Sequence, residues 1–136
     1  MSESLISETV NDHPAIAGVV HLYIEGFATG DVSKLEQAFH EDARMFGELG
    51  GQRADMPIRQ LFELVATLPP MDSEGTYDAR ITSIEQVDDV ATARLDEHGC
   101  WGSASFVDFF TLARIDGRWK IVNKVFAHTG GEIPAG

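Results

Sequence analysis

The sequence predicts an α+β fold: a cone-shaped, curved antiparallel sheet packed on three N-terminal helices. Three observations carry this reading. Apolar residues recur at helical spacing in three early segments, long strand-like runs joined by tight turns fill the second half, and the stretch Val107 to Phe126 is apolar-rich on both faces. A strand pair of that kind is covered on both sides, which calls for a core on one side and a second layer or partner on the other.

The elements follow in order. From Pro14 to Ala28 the residues Ile16, Val19, Val20, Tyr23, Ile24 and Phe27 form the apolar stripe of a first helix, with Pro14 suited to its first turn. Gly30 stops it, and Asp31 caps a short second helix through Val32, Leu35, Ala38 and Phe39. Ala43 to Phe46 reads as a strand ended by the glycines at 47, 50 and 51. Asp55 then caps a third helix, with Pro57 in its first turn and Ile58, Leu61, Phe62, Val65 and Leu68 as its buried stripe; Pro69-Pro70 terminates it.

Two strands, Thr76 to Val87 and Val90 to about Glu97, flank Asp88-Asp89 as a hairpin, and His98-Gly99 makes a turn or bulge. Cys100 to Arg114 runs into the final hairpin, whose three-residue loop Ile115-Asp116-Gly117 pairs Arg114 with Arg118. That register sets Asp108 opposite Lys124 and Phe106 opposite Phe126. It leaves Val107, Phe109, Trp119, Ile121 and Val125 as the outer face. One domain, 1–136, is expected, with an ordered core of about 14–128 and flexible ends at 1–12 and 129–136.

Composition narrows the function. The 136 residues carry a net charge of −12, which disfavours nucleic acid and anionic membrane as partners. The single cysteine, Cys100, forms no intramolecular disulfide and fits a reducing compartment, and residues 1–13 lack the pattern of a signal peptide, so a cytoplasmic location is expected. His40, Glu41 and Asp42 are adjacent and diverge, so no metal site is expected. No cofactor is expected either, for there is no Walker loop, GxSxG elbow or GxGxxG turn.

Residues 19–45 (VVHLYIEGFATGDVSKLEQAFHEDARM) and 108–126 (DFFTLARIDGRWKIVNKVF) resemble the nuclear-transport-factor-2-like superfamily. The second stretch is most similar to its putative lumazine-binding branch. The resemblance covers about residues 14–128. It implies a curved sheet around a long first helix, a pocket inside the cone, and homodimers through the outer sheet face. Isomerases, dehydratases, SnoaL-like cyclases, ligand binders and dimerisation modules share this fold, so activity does not follow from it. A more distant similarity to ketosteroid isomerase places Tyr23 at the oxyanion-hole tyrosine and Asp108 at the protonated aspartic acid. The catalytic base of that enzyme falls on Gly47, and Glu48, one residue on, points to the opposite face.

Asp108 with Lys124 is the strongest polar pair, read either as a pocket pair that orients a ligand or as a cross-strand ion pair that holds the register. Tyr23 is a core aromatic or a donor to a ligand oxygen. His128 shares the parity of Lys124 and sits at the rim; Trp101 can roof a ligand by stacking. The expected ligand-binding set is Tyr23, Phe46, Phe62, Trp101, Phe106, Asp108, Phe110, Lys124 and Phe126, and the catalytic candidates are Tyr23, Asp108, Lys124 and His128. The leading expectation is a small-organic-molecule-binding homodimer. The alternatives are a cofactor-independent isomerase, cyclase or dehydratase acting on a carbonyl compound, and a dimerisation module whose pocket is filled.

Overall fold

The computed structural model describes residues 11–134. Three helices, α1 (His13–Thr29), α2 (Val32–Ala38) and α3 (Ile58–Thr67), pack on a curved, unclosed sheet. Its six strands are β1 (Phe39–Leu49), β2 (Gln52–Pro57), β3 (Asp78–Val87), β4 (Val90–Cys100), β5 (Ala104–Ile115) and β6 (Arg118–Gly130). They lie in the order β2-β1-β6-β5-β4-β3, with β1 and β6 parallel and every other pair antiparallel.

Helix α1 buries Ile16, Val20, Tyr23 and Phe27, one residue per turn along one face, against the concave side of the sheet. Leu35 of α2 and Ile58, Leu61 and Val65 of α3 close the same core. From the sheet, alternate residues of β4 (Ala91, Ala93, Leu95, Glu97) and of β5 (Phe106, Asp108, Phe110, Leu112) point inward. Two buried carboxylates and one lysine thus share a layer with the core aliphatics.

Several expectations are corrected. The first strand is not Ala43 to Phe46 but starts at Phe39 and runs through Gly47 to Leu49. Gly50-Gly51 then form a two-residue turn, and residues 52–57, expected as loop and helix start, pair back as β2. Asp55 therefore does not cap the third helix: it lies opposite Phe46 and binds Arg44 at 3.0 Å, while Pro57 precedes α3.

The last hairpin differs in its loop. Asp116 and Gly117 both adopt left-handed conformations (φ 52° and 79°), the geometry of a two-residue turn whose twist matches its strands, so Ile115 pairs with Arg118. A second correction follows from a bulge at Val122, where the pairing steps from Leu112–Ile121 to Thr111–Asn123. The extra residue reverses strand parity. Trp119 and Ile121, expected outside, are buried before the bulge, and Lys124 and Phe126 are buried after it. Asp108 faces Phe126 and Lys124 faces Phe110, so the acid and the base are diagonal rather than directly opposed.

Two residues of the expected flexible ends make contacts with the rest of the fold. Asp12 accepts hydrogen bonds from Gln86 (3.1 Å) and Arg114 (3.2 Å), and Ile133 packs against the core. The expectation for 1–10 and 135–136 lies outside the described residues.

Candidate functional site

Between α1, α3 and the concave face of β1, β4, β5 and β6 lies a cavity of about 40 Å³. Most of its wall is aliphatic or aromatic, including Phe27, Met45, Leu61, Val65, Phe106 and Phe126. Four polar side chains reach it: Tyr23 from α1, Glu97 from β4, Asp108 from β5 and Lys124 from β6. Leu68, Pro69, Trp101 and Ile133 border its outer end. Pro69, Trp101 and Ile133 also line an open recess of about 570 Å³ on the other side.

The polar groups form a chain. Tyr23 Oη donates to Asp108 Oδ2 at 3.2 Å, and Tyr77 Oη donates to Glu97 Oε2 at 2.5 Å. Glu97 and Asp108 lie close enough for hydrogen bonding between their carboxyls. Burial, then the neighbouring Asp108 charge, pushes Glu97 well above the usual carboxylate range. A proton held there explains an otherwise anomalous atom. Asp108 Oδ1 is sealed from solvent with no N–H or O–H donor of its own, and a protonated Glu97 can supply one. Burial thus favours the protonated form of Glu97, with its proton directed at Asp108 Oδ1. Burial also raises Tyr23 and Tyr77, with Asp108 next in effect for the first and Glu97 for the second, so both phenols stay protonated.

Lys124 is the cationic member. Its Nζ stands 4.8 Å from the ring centre of Phe126, 5.1 Å from Tyr23 and 5.2 Å from Phe27, within cation–π range of all three. Among the described residues it makes no ion pair within 4.0 Å. The simple Asp108–Lys124 ion pair that the sequence allows is therefore absent.

Of the expected ligand-binding set, Tyr23, Trp101, Phe106, Asp108, Lys124 and Phe126 line the cavity. Phe46 does not: it is 45% exposed on the outer sheet face, with the Arg53 guanidinium 5.8 Å from its ring. Phe62 leans on Phe39 and borders a separate surface groove with Glu36 and Arg59. Phe110 is buried edge-on against Tyr23 (4.9 Å), behind the cavity wall. His128 stacks on Phe106 (5.1 Å) and its Nε2 lies 2.9 Å from the Gly131 carbonyl, which keeps it at the rim away from Tyr23. Trp101 is fixed by its indole N–H on the Pro69 carbonyl, 2.7 Å away.

Glu97 and Tyr77 escaped the sequence reading. The signal for Glu97 is period-two alternation: in VATARLDE it has the parity of Ala91, Ala93 and Leu95, which makes it an inward-facing acid. Nothing comparable marks Tyr77, which comes from the segment leading into β3. Gly47, where the isomerase base would fall, has no room for a side chain. A Cβ there would collide with the Phe126 carbonyl oxygen and lie 2.6 Å from a carbon of its ring.

Comparison with known proteins agrees with this architecture. The family described as putative lumazine-binding matches residues 11–127. An NTF2-like protein of unknown function from Methylobacillus flagellatus KT is 35% identical, with a TM-score of 0.79 over 88% of this chain and 94% of that one. Another from Shewanella baltica OS155 is 28% identical, with a TM-score of 0.77 over 90% and 95%. Among characterised proteins, the aldolase FrzH of Cladobotryum sp is 24% identical over 87% of this chain and 92% of its own length. The chain belongs to the putative lumazine-binding family of the NTF2-like superfamily.

Proposed function

We propose that the cone binds a compact organic molecule through a carbonyl oxygen, and that the groups around that oxygen move a proton at the adjacent carbon. The observation that carries this is the convergence of Lys124, Tyr23, Glu97 and Asp108 on one end of an otherwise apolar cavity. Lys124 supplies a positive hydrogen-bond donor to the oxygen. The Glu97–Asp108 pair can take a proton from carbon and return it, which is the core of isomerase and lyase chemistry at carbonyl compounds. The similarity to the aldolase FrzH of Cladobotryum sp supports this reading, because aldol addition and cleavage pass through an enolate or its equivalent. The steroid-isomerase reaction itself is not part of the proposal, since Phe126 occupies the space of its base.

A second reading rests on the cavity's size. Ligand pockets usually measure about 300 Å³ or more, and about 40 Å³ has room for a water molecule or two. On that reading the cone is filled by its own side chains and the protein serves as a dimerisation module. Either reading takes the outer sheet face as the contact between two copies. Phe46, Val125 and Phe109, exposed by 45%, 43% and 54%, are register neighbours across β1, β6 and β5. The free buried Cys100 supports a reducing, cytoplasmic setting.

Ligand-observed NMR with a panel of small aldehydes, ketones and 2-oxo acids separates the two. Binding that Lys124→Met abolishes is the expected result. If no compound binds while light scattering gives a dimer, the filled-cone reading stands instead.

A further inference from the structure

We propose that Lys124 is a covalent attachment point: its amine condenses with a short-chain aldehyde or ketone in the cone to form an imine. This rests on the carbonyl reading above and deepens it.

The chain has three lysines, and two are engaged. Lys34 Nζ binds the Glu25 carboxylate at 2.7 Å, and Lys120 Nζ donates to the Gln37 carbonyl at 2.7 Å. Lys124 Nζ has neither a hydrogen-bond acceptor nor an ion-pair partner among the described residues, although only 5% of the residue is exposed. What surrounds it instead is three ring faces and the cavity. A buried lysine held only for stability is ordinarily tied to a carboxylate or a carbonyl. This one leaves all three N–H bonds for something that enters the cavity.

The step balances with groups already present. The ammonium passes a proton, relayed by a water in the cavity, to the Glu97–Asp108 pair, and the freed amine attacks the carbonyl carbon. A C–N bond forms while the C=O π electrons move to oxygen, which takes a proton from the now positively charged nitrogen and so restores that nitrogen's lone pair. The nitrogen lone pair then expels that oxygen as water, with the second proton returned from the carboxyl pair. The sum is ammonium plus carbonyl giving protonated imine plus water, with no oxidant or reductant. The product keeps a positive charge at the same nitrogen, so the faces of Tyr23, Phe27 and Phe126 attract it as they attract the ammonium. The apolar wall limits the water that would hydrolyse the imine. A cavity of about 40 Å³ restricts the carbonyl compound to one with small substituents.

The test is reductive trapping on the intact protein. It is incubated with propanal and sodium cyanoborohydride, and each lysine is followed by peptide mass spectrometry. Propylation at Lys124 should run at least about tenfold faster than at Lys34 or Lys120, the reverse of the order that exposure alone dictates. Lys124→Met should lose the fast single addition. Should that variant fail to fold, the same labelling of the natural protein in urea replaces it, and the preference for Lys124 should vanish there. Lys124 labelled last in the folded protein overturns the proposal. In parallel, exchange of the propanal α-hydrogens in D2O is read by NMR. Exchange without trapping overturns the covalent role and leaves the carbonyl reading standing; absence of both overturns both.

Discussion

Glu97→Gln is the substitution that most sharply examines the buried carboxyl pair. Glutamine reproduces the protonated acid: its carbonyl can accept from Tyr77 Oη, and its amide can donate to Asp108 Oδ1. At low pH the variant should therefore be nearly as stable as the natural protein. The difference appears as pH rises. Burial holds the Glu97 proton in the folded state, while the unfolded chain releases it around its ordinary value of 4.5. A group raised on folding contributes stability that is complete below the unfolded value and is lost as pH climbs towards the folded one. Within that window the folded chain holds one extra proton, worth about 1.4 kcal/mol for each pH unit above the unfolded value. Urea unfolding at several pH values gives both curves. Groups common to the two proteins, including Glu25, Asp31 and Asp96 whose partners hold them low, cancel in the difference. Stability of the natural protein should fall relative to the variant across the window. Parallel curves would refute a proton held on Glu97 in the folded state.

Three further outcomes are expected. Tyr23→Phe removes the donor to Asp108 Oδ2 and should cost about 1–3 kcal/mol in urea unfolding at neutral pH, and an unchanged midpoint would mean that this hydrogen bond does not form. Gly47→Ala drives a methyl group into Phe126 and should cost about 1–3 kcal/mol, read as a lowered Tm; full stability would mean that β1 and β6 lie farther apart than described. Phe109→Glu places a charge at one end of the outer apolar row and should convert a dimer into a folded monomer by light scattering, with Tm in dilute solution almost unchanged.

The fold was largely legible because it is written in strong periodic signals. The one-per-turn stripe of Ile16, Val20, Tyr23 and Phe27, and the alternation of β4 and β5, each persist for several turns or pleats. What escaped was set by single residues. Val122 carries no mark of a bulge, yet it turns Trp119 and Ile121 inward and decides which residues face Asp108. Gly50-Gly51 read equally well as the end of a strand or as the turn that produces β2. For the site, Tyr23, Asp108 and Lys124 were found through the resemblance and strand parity, and they do converge on one cavity. Phe46 was misplaced because the inner and outer faces of β1 are both partly apolar, so its parity alone did not say which was which. Glu97 was overlooked although its parity was plain, because an acid flanked by Asp96 and His98 looks like solvent-facing surface.

The central claim is that the floor of the cone moves a proton at the carbon beside a bound carbonyl. Hydroxyacetone in D2O, followed by proton NMR with and without the protein, tests it most directly. Protein-dependent loss of the α-hydrogen signals is expected, diminished at least about tenfold by Asp108→Asn. Exchange no faster than in buffer would contradict it, as would exchange that Asp108→Asn leaves untouched.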